Sequence, residues 1–151
     1  MDIKLPRLNL PIYNFRYDSR DGKDFIFDPV RRKYVQLTGE EWVRQNFVQF
    51  LINEKNYPAS RFRVETEIKV QNVRKRCDVV FYDKLMKPFI IAECKAPDVK
   101  LDQKTLDQIG AYNSSLKVKY LMITNGLSHF CFEMNYKAET YELLGDLPEY
   151  S

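Results

Sequence analysis

The spacing of apolar positions changes several times along the chain, and each change marks an element. After Thr38, the residues Val43, Phe47, Phe50 and Leu51 recur at helical intervals, and Thr38-x-x-Glu41 forms a capping box. The spacing predicts a helix from Thr38 to about Lys55 that stops before Pro58. Residues 61–70 instead alternate. Val64, Thr66, Ile68 and Val70 share one face, while Glu65, Glu67 and Lys69 share the other, where the two glutamates are expected to be solvated. Two apolar runs follow, residues 76–82 and 88–95, joined by a short link that is polar at its ends. They read as an antiparallel hairpin. Leu106, Ile109 and Asn113 mark a second helix, from about Asp102 or Lys104 to Ser114. Residues 119–124 and 129–133 are strands around the turn pair Asn125-Gly126, and residues 139–143 form a final edge strand.

Upstream of the first helix the pattern is weaker. Pro6 and Pro11 oppose a regular helix, so residues 1–17 read as an extended apolar arm packed on the domain or on a second subunit. Residues 18–23 form a turn, and residues 24–28 and 33–37 form short strands around a solvated turn carrying Arg31 and Arg32. The division expected is an arm with a short strand over 1–27 and a single domain over 28–151. The order of helix, three strands, helix and two strands predicts an α/β fold with a mixed central β-sheet flanked by helices.

The chemistry concentrates in the hairpin. Side chains on a strand alternate faces, so Glu93 and Lys95 project to the same side. The register expected sets Asp83 opposite Pro88, Tyr82 opposite Phe89, Val80 opposite Ile91 and Asp78 opposite Glu93. Opposed residues share a face, which brings Asp78, Glu93 and Lys95 together. A slip of one residue would send Asp78 to the other side. Two carboxylates and an ammonium suit a hard divalent cation such as Mg²⁺, with the lysine acting on a water or offsetting charge. The alternative for the same residues is an ion-pair network. Residues 71–76 read as a polar turn whose Arg74, Lys75 and Arg76 either contact phosphate or are solvated.

Four segments carry a resemblance: Leu37-Thr38-Gly39-Glu40-Glu41-Trp42-Val43-Arg44-Gln45, Arg76-Cys77-Asp78-Val79-Val80, Ile91-Ala92-Glu93-Cys94-Lys95-Ala96-Pro97 and Gln108-Ile109-Gly110-Ala111-Tyr112-Asn113. Thr124-Asn125-Gly126 adds a fifth. In order and spacing the sequence resembles the PD-(D/E)XK nuclease superfamily, and within it the N-terminal nuclease domain of type I restriction enzyme R subunits. The resemblance implies a restriction-endonuclease-like core of αβββαβ order and a Mg²⁺-dependent deoxyribonuclease, with Mn²⁺ able to substitute. It implies metal ligation by Asp78, Glu93 and the backbone carbonyl of Cys94, and action of Lys95 on the attacking water. It also implies an acidic residue on the first helix that faces the site. The match selects Glu41 for that role, with Glu40 the other candidate. Arg44 and Gln45, one turn further on, are placed to hold the Glu41 carboxylate. Gln108 and Tyr112 fit a Gln-x-x-x-Tyr motif in which the glutamine reaches water or phosphate and the tyrosine lies toward nucleic acid. The implied partners are DNA and a separately encoded motor or specificity subunit, and the arm leaves a homodimer open. R subunits also carry a helicase motor, and no Gly-x-x-x-x-Gly-Lys-Ser/Thr phosphate loop occurs in these residues. A non-catalytic nuclease-fold module that binds DNA or a protein is the other reading.

Composition narrows this only modestly. The 151 residues suit one domain with a real core, and the 14% aromatic content opposes disorder. A net charge of +3 is compatible with nucleic acid without requiring it. Three cysteines, none in a Cys-x-x-Cys pair, and one histidine point away from a disulfide framework or a zinc site. Buried thiols, with neither a signal peptide nor a membrane-spanning apolar run, suggest a reducing cytoplasm.

Overall fold

Thr38 starts the first helix by capping it. Its Oγ1 accepts the Glu41 N–H at 3.0 Å, and α1 then runs Gly39–Asn53. Glu40 and Glu41 sit in its first turn, where the helix dipole favours negative charge. Val43, Phe47, Val48 and Leu51 are its buried face. The second helix, α2 (Gln103–Leu116), is capped by Asp102, whose Oδ1 accepts the Thr105 N–H at 3.2 Å. Lys117 ends it in the left-handed conformation, φ 49°. The computed structural model describes residues 5–70 and 72–151, with the side chains of Val70, Tyr112 and Ser115 outside that description.

Among the described residues, nine strands form two sheets. Strands β1 (Tyr17–Arg20), β2 (Lys23–Asp28) and β3 (Lys33–Gln36) make a small antiparallel meander. The larger sheet holds β4 (Phe62–Val70), β5 (Val73–Tyr82), β6 (Pro88–Cys94), β7 (Tyr120–Thr124), β8 (His129–Asn135) and β9 (Thr140–Leu143), in that order across the sheet. Among the described residues only β6 and β7 pair in parallel, and α2 makes the crossover between them. Alternation along β6 separates two cores. Ile90, Ala92 and Cys94 pack with Val43, Phe47 and Leu51 of α1, while Ile91 packs with Ile109 of α2. The sheet is therefore sandwiched between the helices, and the expected α/β class with a mixed sheet holds.

Four local expectations need correction. First, the hairpin carries a bulge. Val80 opposes Ile91 as expected, but Tyr82 opposes Pro88 rather than Phe89. Asp83 closes the turn by donating its N–H to Lys87 O and accepting the N–H groups of Leu85 and Lys87 on its carboxylate, which leaves one extra residue on β6. Second, Arg74, Lys75 and Arg76 lie within β5, opposite Lys69, Ile68 and Glu67, and not in a turn; Gln71 is outside the described residues. Third, residues 18–20 belong to β1, because Asp21 and Gly22 make the whole turn with φ of 50° and 76°. Fourth, Arg31 is not solvated: it is ion-paired to both Asp28 and Glu41. The apolar arm packs on its own domain, where Leu8 is buried, Asn9 donates to Gly126 O and Pro6 O accepts from the Trp42 indole.

Candidate active site

Strand β6 delivers two ionic side chains at its C-terminal end. Glu93 is buried, and Lys95 follows one residue past the strand, on the α2 side where alternation sends both. Lys95 Nζ lies 3.4 Å from Glu93 Oε1 and donates to Gln108 Oε1 of α2 at 3.3 Å. Asp78 lies on neighbouring β5, one step beyond the Val79–Ala92 pair, so the register carries it opposite Glu93. Its Oδ2 accepts the Cys94 N–H at 2.8 Å. That bond replaces a ladder hydrogen bond and fixes the carboxylate against the end of β6.

Helix α1 reaches the same point because its start is close to the strand end. A Cβ on Gly39 would meet the Ala96 Cβ at 3.1 Å, tighter than ordinary contact. The first turn therefore stands directly over residues 95–97 and aims Glu40 at the site. Strand β4 adds a third carboxylate. The β4–β5 ladder pairs Val64 with Val79 and Thr66 with Cys77. Between them Glu65 takes a left-handed φ of 50°, unusual for a non-glycine residue. Carboxylate oxygens of Glu40, Glu65 and Asp78 consequently lie within 4.8 Å of one another.

Arg44 binds this cluster. Its Nη2 is 2.6 Å from Glu65, 3.2 Å from Asp78 and 3.3 Å from Glu40, and its Nη1 is 2.6 Å from Glu41. Glu41 is in turn held by Arg31 at 2.6 Å and by the Gln45 amide at 2.9 Å. Arg76 reaches the other oxygen of Glu65 at 3.5 Å.

Burial sets the protonation chemistry. It raises the Glu93 pKa to about 7, with repulsion from Asp78 adding to the effect and Lys95 opposing it. Glu40 is raised too, first by burial and then by Asp78. Burial works against the Arg44 charge, but Glu41, Asp78 and Glu65 outweigh it and raise its pKa, so the guanidinium stays protonated. Burial pushes the Cys77 thiol up to about 12 and the Cys94 thiol well above its usual range. Both thiols are free and neutral, and the Cys94 side chain points into the α1 core, leaving only its backbone for the site.

The structure thus brings Asp78, Glu93, Lys95 and Gln108 to one place. The two candidate acids of the first helix part company: Glu40 joins Asp78, whereas Glu41 spends both oxygens on Arg31, Arg44 and Gln45. Arg74 and Arg76 are exposed and pair with Glu67 and Glu65. The side chain of Tyr112 is outside the described residues. Glu65 was missed, because strict alternation assigns it to a solvated face with Glu67. So was the central place of Arg44, which was read only as a partner of Glu41. His129 is structural, bonded to Thr124 Oγ1 and Asn9 O and stacked on Phe47. No helix among the described residues is long and apolar enough to cross a membrane.

Comparison with known proteins places this architecture. The chain is similar in fold to a solved fragment described as belonging to an HsdR subunit of a type I restriction enzyme from Vibrio vulnificus YJ016, with a TM-score of 0.54 and 20% sequence identity. The likeness covers 75% of this chain and 24% of that one, so this chain spans about a quarter of the fragment's length, and at that identity it speaks for the fold alone. No curated protein matches the chain. Residues 39–148, from the first residue of α1 to beyond β9, match the model of the family described as the type I restriction enzyme R protein N terminus. With the match covering most of the chain, including Glu40, Glu65, Asp78, Glu93, Lys95 and Gln108, this protein belongs to that family.

Proposed function

We propose that this domain hydrolyses phosphodiester bonds in DNA with the help of a divalent cation, Mg²⁺ or Mn²⁺ in its place. The observation that carries the reading is the convergence of buried Asp78 and Glu93 with Lys95 at the end of β6. The donor set suits a hard cation. It offers carboxylate oxygens, and Glu93 is held near neutrality by burial and by Asp78, the state of an acid short of positive charge. Asp78, Glu93 and the Cys94 carbonyl would hold the ion, which when bound supplies Lewis acidity toward water and neutralises developing negative charge. Lys95 reaches the attacking water from the lip of the site and, as an ammonium paired with Glu93, orients that water and offsets the negative charge that develops on the phosphate. Gln108 keeps Lys95 in place through its amide oxygen and presents its NH₂ to water or phosphate. Glu40 faces the site from α1, and Glu41 acts indirectly by fixing Arg44. Family membership supports DNA as the substrate and a partner subunit that supplies the motor.

A second reading has its own observation. Both oxygens of Asp78 already have partners, Arg44 and the Cys94 N–H, as expected of a structural network in a non-catalytic module. Incubation of supercoiled plasmid with the protein and Mg²⁺ or Mn²⁺ separates the two. Hydrolysis expected from the wild type should vanish in Asp78→Asn and Glu93→Gln. A metal-loaded wild type that binds DNA without nicking it would establish the module.

A further inference from the structure

Three carboxylate oxygens within 4.8 Å of one another need a cation between them, and the chain supplies one of its own. Arg44 Nη2 stands 2.6 to 3.3 Å from Glu65, Asp78 and Glu40. We propose that the Arg44 guanidinium permanently fills a second cation position beside the catalytic one, so that this nuclease works with a single metal ion per active site. The inference rests on the metal-dependent reading above.

Three features argue that Arg44 is a fixture rather than a placeholder. Its Nη1 is anchored at 2.6 Å by Glu41, which is itself held by Arg31 and Gln45, so withdrawal would break a buried chain of charge-assisted bonds. The carboxylates dictate its orientation, since Nε is left buried without an acceptor. The surrounding charge also matches one divalent ion while Arg44 is in place. Arg31, Arg44, Arg76 and Lys95 pair with six carboxylates in all, an excess of two negative charges once Glu93 and Glu40 have lost their protons to a bound cation. Enzymes that use two metals place them about 3.5–4 Å apart with shared carboxylates. Asp78 is the carboxylate common to both positions: it meets Arg44 through Oδ1 and, on the reading above, holds the metal together with Glu93.

Counting ions tests this directly. Mn²⁺ binding to the full chain, followed by equilibrium dialysis and calorimetry, should give one ion for the wild type and two for Arg44→Gln, which empties the second position. Two ions in the wild type, or one in a folded Arg44→Gln variant, would overturn the proposal. An active wild type holding two ions removes only this inference, whereas a wild type that binds no metal removes the metal-dependent reading with it. If Arg44→Gln does not fold, side-chain NMR of the wild type decides. The Arg44 Nη signals should keep their restricted rotation at saturating Mg²⁺, and their collapse to free rotation would overturn the proposal.

Discussion

Lys95 Nζ stands 3.4 Å from Glu93 Oε1, yet the two side chains differ in access to water: Lys95 is 26% exposed and Glu93 6%. The lysine is at the lip and the acid is inside. The acid can shed its charge by protonation, because burial has already raised its pKa to about 7. Lys95→Met should therefore cost little stability at or below neutral pH. Cleavage should nevertheless fall by about 10²–10³-fold, the usual worth of a preorganised group that stabilises transition-state charge. Thermal melting beside a nicking assay checks both. A large drop in Tm at pH 6 would make the pair a structural ion pair instead.

The same acid makes metal binding depend on pH. Glu93 must lose its proton to hold a cation, so affinity should rise about tenfold per pH unit below 7 and level off above. Stability of the metal-free protein should move the other way. The folded state holds a proton on Glu93 at pH values where the unfolded chain has released it. That stabilisation is complete below the unfolded pKa and is lost as pH rises through about 7. Lys95 pulls the Glu93 pKa down, so Lys95→Met should shift the binding profile to higher pH. Calorimetry with Mn²⁺ between pH 5.5 and 8 would read all of this, and a flat profile would exclude Glu93 as a ligand.

How much of this was legible depends on what each residue faces. The half of the hairpin beyond the bulge followed from period two, because apolar Val80 and Ile91 must share the α2 core and thereby fix the register at Asp78. Glu65 was hidden because its inward turn comes from a backbone irregularity that carries no hydrophobic signature. Arg74 to Arg76 looked like a turn because that end of β5 is exposed on both faces and shows no alternation. Between Glu40 and Glu41, periodicity could not decide. In the structure Arg31, from the turn before β3, pairs with Glu41, while Glu40 lies beside Asp78.

The exposed end of β5 yields a salt-dependence prediction. Arg74 and Arg76 have only weak, solvated pairing with Glu67 and Glu65, so phosphate can displace those partners readily. If Arg74, Lys75 and Arg76 each contact duplex DNA, replacing all three with Ser should lower the slope of log affinity against log salt by about 2.7, at roughly 0.9 per contact. Fluorescence anisotropy across a salt series gives the slope. An unchanged slope places the DNA path elsewhere.

Glu40 and Glu41 are adjacent, yet they should respond oppositely to mutation. Glu41 is buried, and both oxygens are engaged by Arg31, Arg44 and Gln45. Glu41→Ala leaves two largely buried guanidinium groups short of their shared partner, and breaking a buried pair in this way typically costs about 3–5 kcal/mol. Its Tm should fall steeply, with any loss of activity following from unfolding. Glu40 is about half exposed and among the described residues makes one long ion pair, 3.3 Å to Arg44. Glu40→Gln removes a charge that burial and Asp78 already disfavour, so Tm should hold or rise slightly. Its effect should appear in the chemistry, as weaker metal binding or slower cleavage in a protein of normal stability. Denaturant melts of both variants, paired with Mn²⁺ titration, separate the roles. A stable, folded Glu41→Ala variant with impaired metal binding would return the helix-borne catalytic carboxylate to Glu41 and leave Glu40 a bystander.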